Sequence, residues 1–152
     1  MIFPQDLKEF LQLLNAHCVE FCIVGGYAVG RHGFPRYTGD LDVLILPTRD
    51  NAERVLASLN DFGFGNTGVV LDDFLAPGRI MQMGIPPLRI DIITGIDGVT
   101  NEEVFANCIQ EEASGLNLRY IGLRELLRNK QEAGRDKDLI DVKRLKECHQ
   151  IE

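Results

Sequence analysis

The 152-residue sequence contains no apolar run approaching the roughly 18 residues that a membrane-spanning helix needs. Its first residues, Met1-Ile2-Phe3-Pro4-Gln5-Asp6, hold no basic segment leading into an apolar one. No secretory signal is therefore expected, and the chain reads as cytoplasmic. There is no C-x-x-C pair among Cys18, Cys22, Cys108 and Cys148, so buried or idle thiols are the expectation. A metal site from His17, Cys18 and Cys22 is the sharper alternative, but its spacing matches no zinc pattern. A surplus of positive charge is also missing. The net charge is -7, with 7 Lys+Arg against 16 Asp+Glu in residues 1–118 and 9 against 7 in residues 119–152. That acidic body disfavours extended nucleic-acid binding, which depends on many phosphate contacts. Neither G-x-G-x-x-G nor a P-loop is present, which removes support for a dinucleotide fold. Repeats, low-complexity tracts and long linkers are absent too.

What is present is an ordinary globular mix, 45% hydrophobic and 26% charged. The length suits one packed domain. Phe3, Leu7, Phe10, Leu11 and Leu14 recur at gaps of three and four, which predicts an amphipathic helix over 3–17. Phe21-Cys22-Ile23-Val24 is a short apolar run closed by Gly25-Gly26 and reads as a buried strand, with a short helix over 26–31. Asp40 to Leu46 is a second strand. Thr48 then caps a helix over 49–61 that turns Val55, Leu56 and Leu59 to one side and stops at Gly63. Residues 64–87 read as a loop with one or two strands, using apolar pieces at 69–71 and 79–83. Leu88 to Ile93 is a clear strand. A short helix over 101–107 and an extended piece from Leu116 to Ile121 follow. Two closing helices start at Leu123 and Asp136, broken at Gly134, with Leu139, Val142 and Leu145 turned inward.

The chemistry gathers at Asp40-Leu41-Asp42. Residues i and i+2 share a strand face, so the two carboxylates stand side by side, about 7 Å apart along the backbone. Like charges at that spacing are costly unless a cation offsets them, and a divalent ion does so well. Asp91, between Ile90 and Ile92 in another apolar strand, needs a partner as well. If the two strands are neighbours, three carboxylates converge. The competing reading is a set of edge-strand acids facing solvent. Gly25-Gly26, at a strand-to-helix junction, is either a tight turn or a place where backbone N–H groups meet phosphate. Arg36 and Thr38 precede the acidic strand. Thr38 is placed to orient a carboxylate and Arg36 to meet phosphate, a plain turn role being equally open. His32 reads as a solvated histidine, assistance in proton transfer being the alternative, Arg89 as a partner for Asp91, and the exposed charges of the last helices as a solvated surface rather than a binding site.

In order, Ile23-Val24-Gly25-Gly26-Tyr27-Ala28, Arg36-Tyr37-Thr38-Gly39-Asp40-Leu41-Asp42-Val43 and Ile90-Asp91-Ile92-Ile93 resemble the nucleotidyltransferase superfamily (DNA polymerase β-like). The nearest likeness is to minimal nucleotidyltransferases and to nucleotidyltransferase toxins of the AbiEii type. The runs Ile121 to Lys130 and Gly134 to Val142 are similar to that group's closing helices. The resemblance implies an α+β fold, a mixed β-sheet packed with helices, with a core over about 18–121 and a C-terminal helical extension over about 122–149. It implies Mg²⁺ or Mn²⁺ held by Asp40, Asp42 and Asp91, with Asp91 also helping to deprotonate an acceptor hydroxyl. It implies a nucleotide held by Gly25 and Gly26, with Lys130, Arg135 and Lys137 near its triphosphate. Asp138 and Asp141 would be structural, pairing with Arg135 or Arg144. One departure stands out: many members carry Gly-Ser where this chain has Gly25-Gly26. The implied activity is transfer of a nucleoside monophosphate from an NTP to a hydroxyl of protein, RNA or a small molecule. The alternative is a catalytically silent nucleotide- or partner-binding module, such as a toxin–antitoxin component with a small helical protein partner.

Overall fold

The computed structural model describes residues 3–65, 67–85 and 88–152. Met1, Ile2 and, within the 64–87 stretch, residues 66, 86 and 87 lie outside the described residues. The elements follow the order α1 (Gln5–Ala16), β1 (Phe21–Val24), α2 (Gly25–Arg31), β2 (Asp40–Ile45), α3 (Arg49–Asp61), β3 (Ile80–Ile85), β4 (Leu88–Ile93), α4 (Asn101–Asn107), β5 (Ile109–Ala113), β6 (Leu116–Tyr120), α5 (Leu123–Ala133) and α6 (Asp136–His149). The six strands form one mixed sheet in the order β3-β4-β2-β1-β6-β5.

Each element has a local cause. In α1 the buried residues are Leu7, Phe10, Leu11 and Leu14, the stripe that the spacing predicts. Thr48 caps α3 by accepting from the Asn51 N–H, and Gly63 follows its end at φ 96°. All four residues of β1 are buried. An unbroken apolar strand has no face for water, and β1 sits inside the sheet between β2 and β6. On β2, Leu41, Val43 and Ile45 are fully buried, whereas Asp40 and Asp42 point to the other face and are half-buried.

Two expectations need correction, those for Leu139 and His32; β5 is a strand that the pattern does not predict, and within 64–87 the apolar piece at 79–83 gives β3. Ile109–Ala113 is a strand although Gln110-Glu111-Glu112 interrupts any apolar pattern. Its ladder with β6 and its position at the sheet edge make it one, and the edge lets alternate residues face water. The piece at 69–71 is not a strand; it leads into a 3-10 turn at Leu71–Phe74, anchored by fully buried Phe74. Leu139 is 49% exposed, because α6 turns Asp138, Asp141, Val142 and Leu145 inward instead. His32 is buried, with its ring nitrogen 2.7 Å from the Ile121 carbonyl oxygen, and is not solvated.

Candidate active site

Strand order brings the three aspartates together. β4 runs parallel to β2, with Asp42 opposite Asp91 and Asp40 opposite Arg89. Neighbouring strands lie about 4.8 Å apart, so Asp42 and Asp91 are immediate neighbours on one face. β1 runs antiparallel to β2 on its other side, with Val24 opposite Asp42. The end of β1 therefore delivers Gly25-Gly26 to the carboxylate cluster. Gly25 has φ +67°, and a Cβ there would collide with Asp42 Oδ2. Gly26 is as tightly placed, since its Cβ would meet Thr38 Oγ1 at 2.6 Å. Thr38 thus fills the space where the second residue of a Gly-Ser turn would carry its side chain. Its hydroxyl donates to the Asp40 backbone carbonyl at 3.2 Å, so it holds the main chain of the acidic strand rather than a carboxylate. Gly25→Ala is expected to leave strand β1 intact but displace Asp42. Thermal melting should show a loss above the roughly 0.5–1 kcal/mol of an ordinary glycine exchange, and nucleotide binding by calorimetry should fall with it.

The cluster is electrostatically unbalanced. Burial, then the neighbouring charge of Asp91 and a hydrogen bond between the two carboxyls, then Asp40, push the Asp42 carboxyl up to about 7, while Lys130 pulls the other way. Arg89 supplies the nearest positive charge. Its Nη2 donates to Asp40 Oδ2 at 2.6 Å and to Asp91 Oδ2 at 3.3 Å, and its Nε donates to Asp91 Oδ1 at 3.1 Å. The pairing of Arg89 with Asp91 agrees with the sequence reading; the contact with Asp40 is additional. Among the described residues no group of three or more His, Cys, Asp or Glu side chains stands at ion-holding spacing. Of the alternative set His17, Cys18 and Cys22, His17 pairs with Asp61 at 2.6 Å and Cys22 is buried; all four cysteines are free, with Cys18 and Cys148 exposed. The donor chemistry of the aspartates nevertheless suits Mg²⁺ or Mn²⁺: three carboxylates present hard oxygen ligands from two neighbouring strands.

A pH dependence follows. A proton bound more tightly in the folded chain than at the ordinary 3.8 stabilises the fold fully below 3.8, and that contribution is lost as pH rises through about 7. In chelator, the melting temperature of the wild type should therefore fall between about pH 4 and pH 7 and level off above. The same slope should be missing from Asp42→Asn, and a slope that persists there would assign it to another group.

A clamp of buried ions lies beside the aspartates. Lys130 Nζ is 3.3 Å from Asp138 Oδ1 and 3.2 Å from Asp141 Oδ2. Arg36 meets Asp141 through two bonds of 2.9 and 2.8 Å. Arg135 Nε meets Asp138 Oδ2 at 2.7 Å, and the Arg135 backbone N–H reaches the same oxygen. Burial alone would raise the Asp138 carboxyl; the Arg135 hydrogen bond and the Lys130 charge outweigh it and hold it below its usual range. Arg144 takes no part and pairs with Glu147. Asp138 thus pairs with Arg135 inside the fold, whereas Lys137, Arg144 and Glu147 are exposed.

A cleft of about 290 Å³ opens between the cluster and the clamp. Gly25, Gly26, Arg36, Thr38, Asp40, Asp42, Lys130, Arg135 and Lys137 all line it. Asp91 does not; it is 7% exposed, next to Arg89. Ile96, Asp97 and Asn129 complete the walls, with Asn129 donating to the Asp97 carbonyl at 2.9 Å. The sequence carries no signal for these three beyond their neighbourhood to β4 and α5. A larger cavity of about 600 Å³ lies at the opposite end of β1 and β6, near Phe21, Arg54 and Glu111. It contains none of the three aspartates, and the charge imbalance selects the smaller cleft.

No family model matches the chain, and no curated protein matches its sequence. Solved structures do. The lincosamide antibiotic adenylyltransferase LnuA, solved with lincomycin bound, is 14% identical, superposes with a TM-score of 0.59 and is covered over 98% of its length by 97% of this chain. The antibiotic-resistance factor ANT(2'')-Ia is 13% identical with a TM-score of 0.60, over 93% of this chain and 81% of that one. An antigenic nucleotidyltransferase-like protein from Paracoccidioides brasiliensis is 15% identical with a TM-score of 0.57, over 92% and 74%. The chain has the fold of these nucleotidyltransferases, a mixed sheet with closing C-terminal helices.

Proposed function

We propose that this chain is a nucleotidyltransferase that moves a nucleoside monophosphate from an NTP to a hydroxyl acceptor. The observation that carries the reading is the alignment of Asp40 and Asp42 with Asp91 across neighbouring parallel strands, beside the Gly25-Gly26 turn. Asp40, Asp42 and Asp91 would hold Mg²⁺ or Mn²⁺. When bound, such ions neutralise phosphate charge and polarise an acceptor hydroxyl. The rest belongs to the chain. Gly25 and Gly26 admit a phosphate close to the backbone, because neither carries a side chain. Arg135, 64% exposed at its side chain, and exposed Lys137 offer positive charge to the triphosphate. Lys130 and Arg36 reach the same cleft and, like Arg135, already pair with Asp138 or Asp141, so Lys137 is the less committed charge. Asp91 takes the proton of the acceptor hydroxyl as its oxygen attacks the α-phosphorus and pyrophosphate leaves. Catalysis of this kind is positioning and charge stabilisation, within reach of a small scaffold.

One observation favours a second reading, a silent nucleotide- or partner-binding module such as a toxin–antitoxin component. Arg89 already balances Asp40 and Asp91. Calorimetric titration of each NTP with and without Mg²⁺ separates the two. Binding that needs the metal supports the transferase. Binding indifferent to the metal selects the silent module, and no binding of any NTP rejects both nucleotide readings.

A further inference from the structure

Arg89 sits where a cation is wanted. It leaves β4 on the same face as Asp91, two residues away, and lies in register with Asp40. Its guanidinium forks between the two carboxylates, meeting Asp40 at 2.6 Å and Asp91 at 3.1 and 3.3 Å. Asp42 is left outside this fork, opposite Asp91 on the neighbouring strand. One positive charge thus serves two carboxylates of a cluster of three. With Arg89 in this position, those oxygens face nitrogen donors and not one another. The aspartates accordingly do not stand at ion-holding spacing, although strand register has made them neighbours.

We propose that Arg89 is a built-in competitor for the divalent cation. It balances Asp40 and Asp91 in the metal-free chain and must release both before those carboxylates can turn to an ion. The inference rests on the metal-binding reading above. The side chain is 30% exposed, so it has open solvent into which to withdraw, and Asp40 at 38% is reachable from the same side. Loss of Arg89 should have two consequences. The free cluster becomes less stable, because three acids then face one another without a partner. Its affinity for a divalent ion rises, because no resident charge has to be displaced. In the wild type, metal binding is held back until the phosphates of a nucleotide bring further negative charge to share.

The test is titration of Mn²⁺ alone, without nucleotide, into the whole chain, read by electron paramagnetic resonance of free Mn²⁺ and by thermal melting. Arg89→Gln is expected to bind Mn²⁺ at least about tenfold more tightly than the wild type, the scale on which a charge within a few ångströms shifts ion binding at a carboxylate. It should also melt lower in chelator and gain more from Mn²⁺. Arg89→Lys keeps the charge but not the fork, and is expected to fall between the two. Lys137→Gln removes a cation from the rim of the same cleft and reports the effect of net charge alone; its affinity should stay near that of the wild type. If Arg89→Gln fails to fold in chelator but folds with Mn²⁺, the competitor role is supported. Equal affinity for wild type, Arg89→Gln and Arg89→Lys overturns it and leaves the metal reading standing. So does an equal gain in Lys137→Gln. If none of the four proteins binds Mn²⁺ while all remain folded, both the competitor role and the metal reading fall.

Discussion

Asp42→Asn should abolish nucleotidyl transfer, by on the order of 10³-fold, while leaving the chain folded and, in chelator, no less stable than the wild type. The two halves of that outcome have one cause. Asp42 is the carboxylate that burial and Asp91 push up to about 7. An amide at this position removes the repulsion, so the fold does not suffer. It also removes an anionic oxygen from the place where positive charge is needed, so nucleotide binding loses its metal dependence. A site that opposes its own stability is the usual trade between function and folding. Transfer is measured as pyrophosphate release, with metal-dependent NTP binding by calorimetry as the readout while no acceptor is known. A variant that keeps Mg²⁺-dependent binding and activity would exclude Asp42 from the metal centre. One that loses stability along with function would make the aspartate a structural residue.

The second large effect concerns Lys130, for which the family resemblance and the geometry suggest different work. Lys130→Met should cost about 1–3 kcal/mol, because it takes a charged partner from two carboxylates that are already out of water, each of which keeps a second one in Arg135 or Arg36. Asp138 and Asp141 side chains are 0% and 2% exposed, and among the described residues Lys130 is the cation paired with both. For a chain of this length such a loss lowers the melting temperature by roughly 5 °C. Denaturant unfolding and thermal melting both read it. Lys137→Met is the contrast: an exposed cation on the same cleft, expected to change stability by less than about 0.5 kcal/mol while weakening NTP binding. If Lys130→Met is as stable as the wild type but binds NTP poorly, Lys130 is a phosphate ligand and the clamp is incidental.

That clamp explains why the closing helices matter to the aspartates. Arg36 is held by Asp141 on α6, and two residues later Thr38 fastens the backbone of Asp40. The partners in the first contact are 105 residues apart in the chain. Helix α6 thereby steadies the segment that leads into β2. It does so with buried ions beside the apolar contacts of Val142 and Leu145, while its Leu139 and Ile140 face outward and are exposed. The exposed leucine is the one place where a helical spacing argument chose the wrong inward residue. The pattern 138, 141, 142, 145 is as good a stripe as 139, 142, 145 once buried aspartates are admitted, and only their partners Lys130, Arg36 and Arg135 justify admitting them.

What the sequence determined by itself is everything that depends on residues a few positions apart. The gaps in α1, the Thr48 cap, the glycine at Gly134 and the alternation that sets Asp40 beside Asp42 are local, and each acts through backbone geometry that the chain carries wherever it goes. Pairing across the sheet is different. β5 lacks a pattern of its own and exists because β6 offers a ladder. Asp91 meets Asp42 because β4 lies parallel to β2, and Arg89 reaches Asp40 across 49 residues of chain. These contacts form only when the whole sheet closes, since the entropy of bringing distant segments together is recovered by the assembled core and not by either strand alone. The three carboxylates were therefore legible as candidates, and the tertiary structure alone decided that they stand on neighbouring strands and that an arginine stands among them.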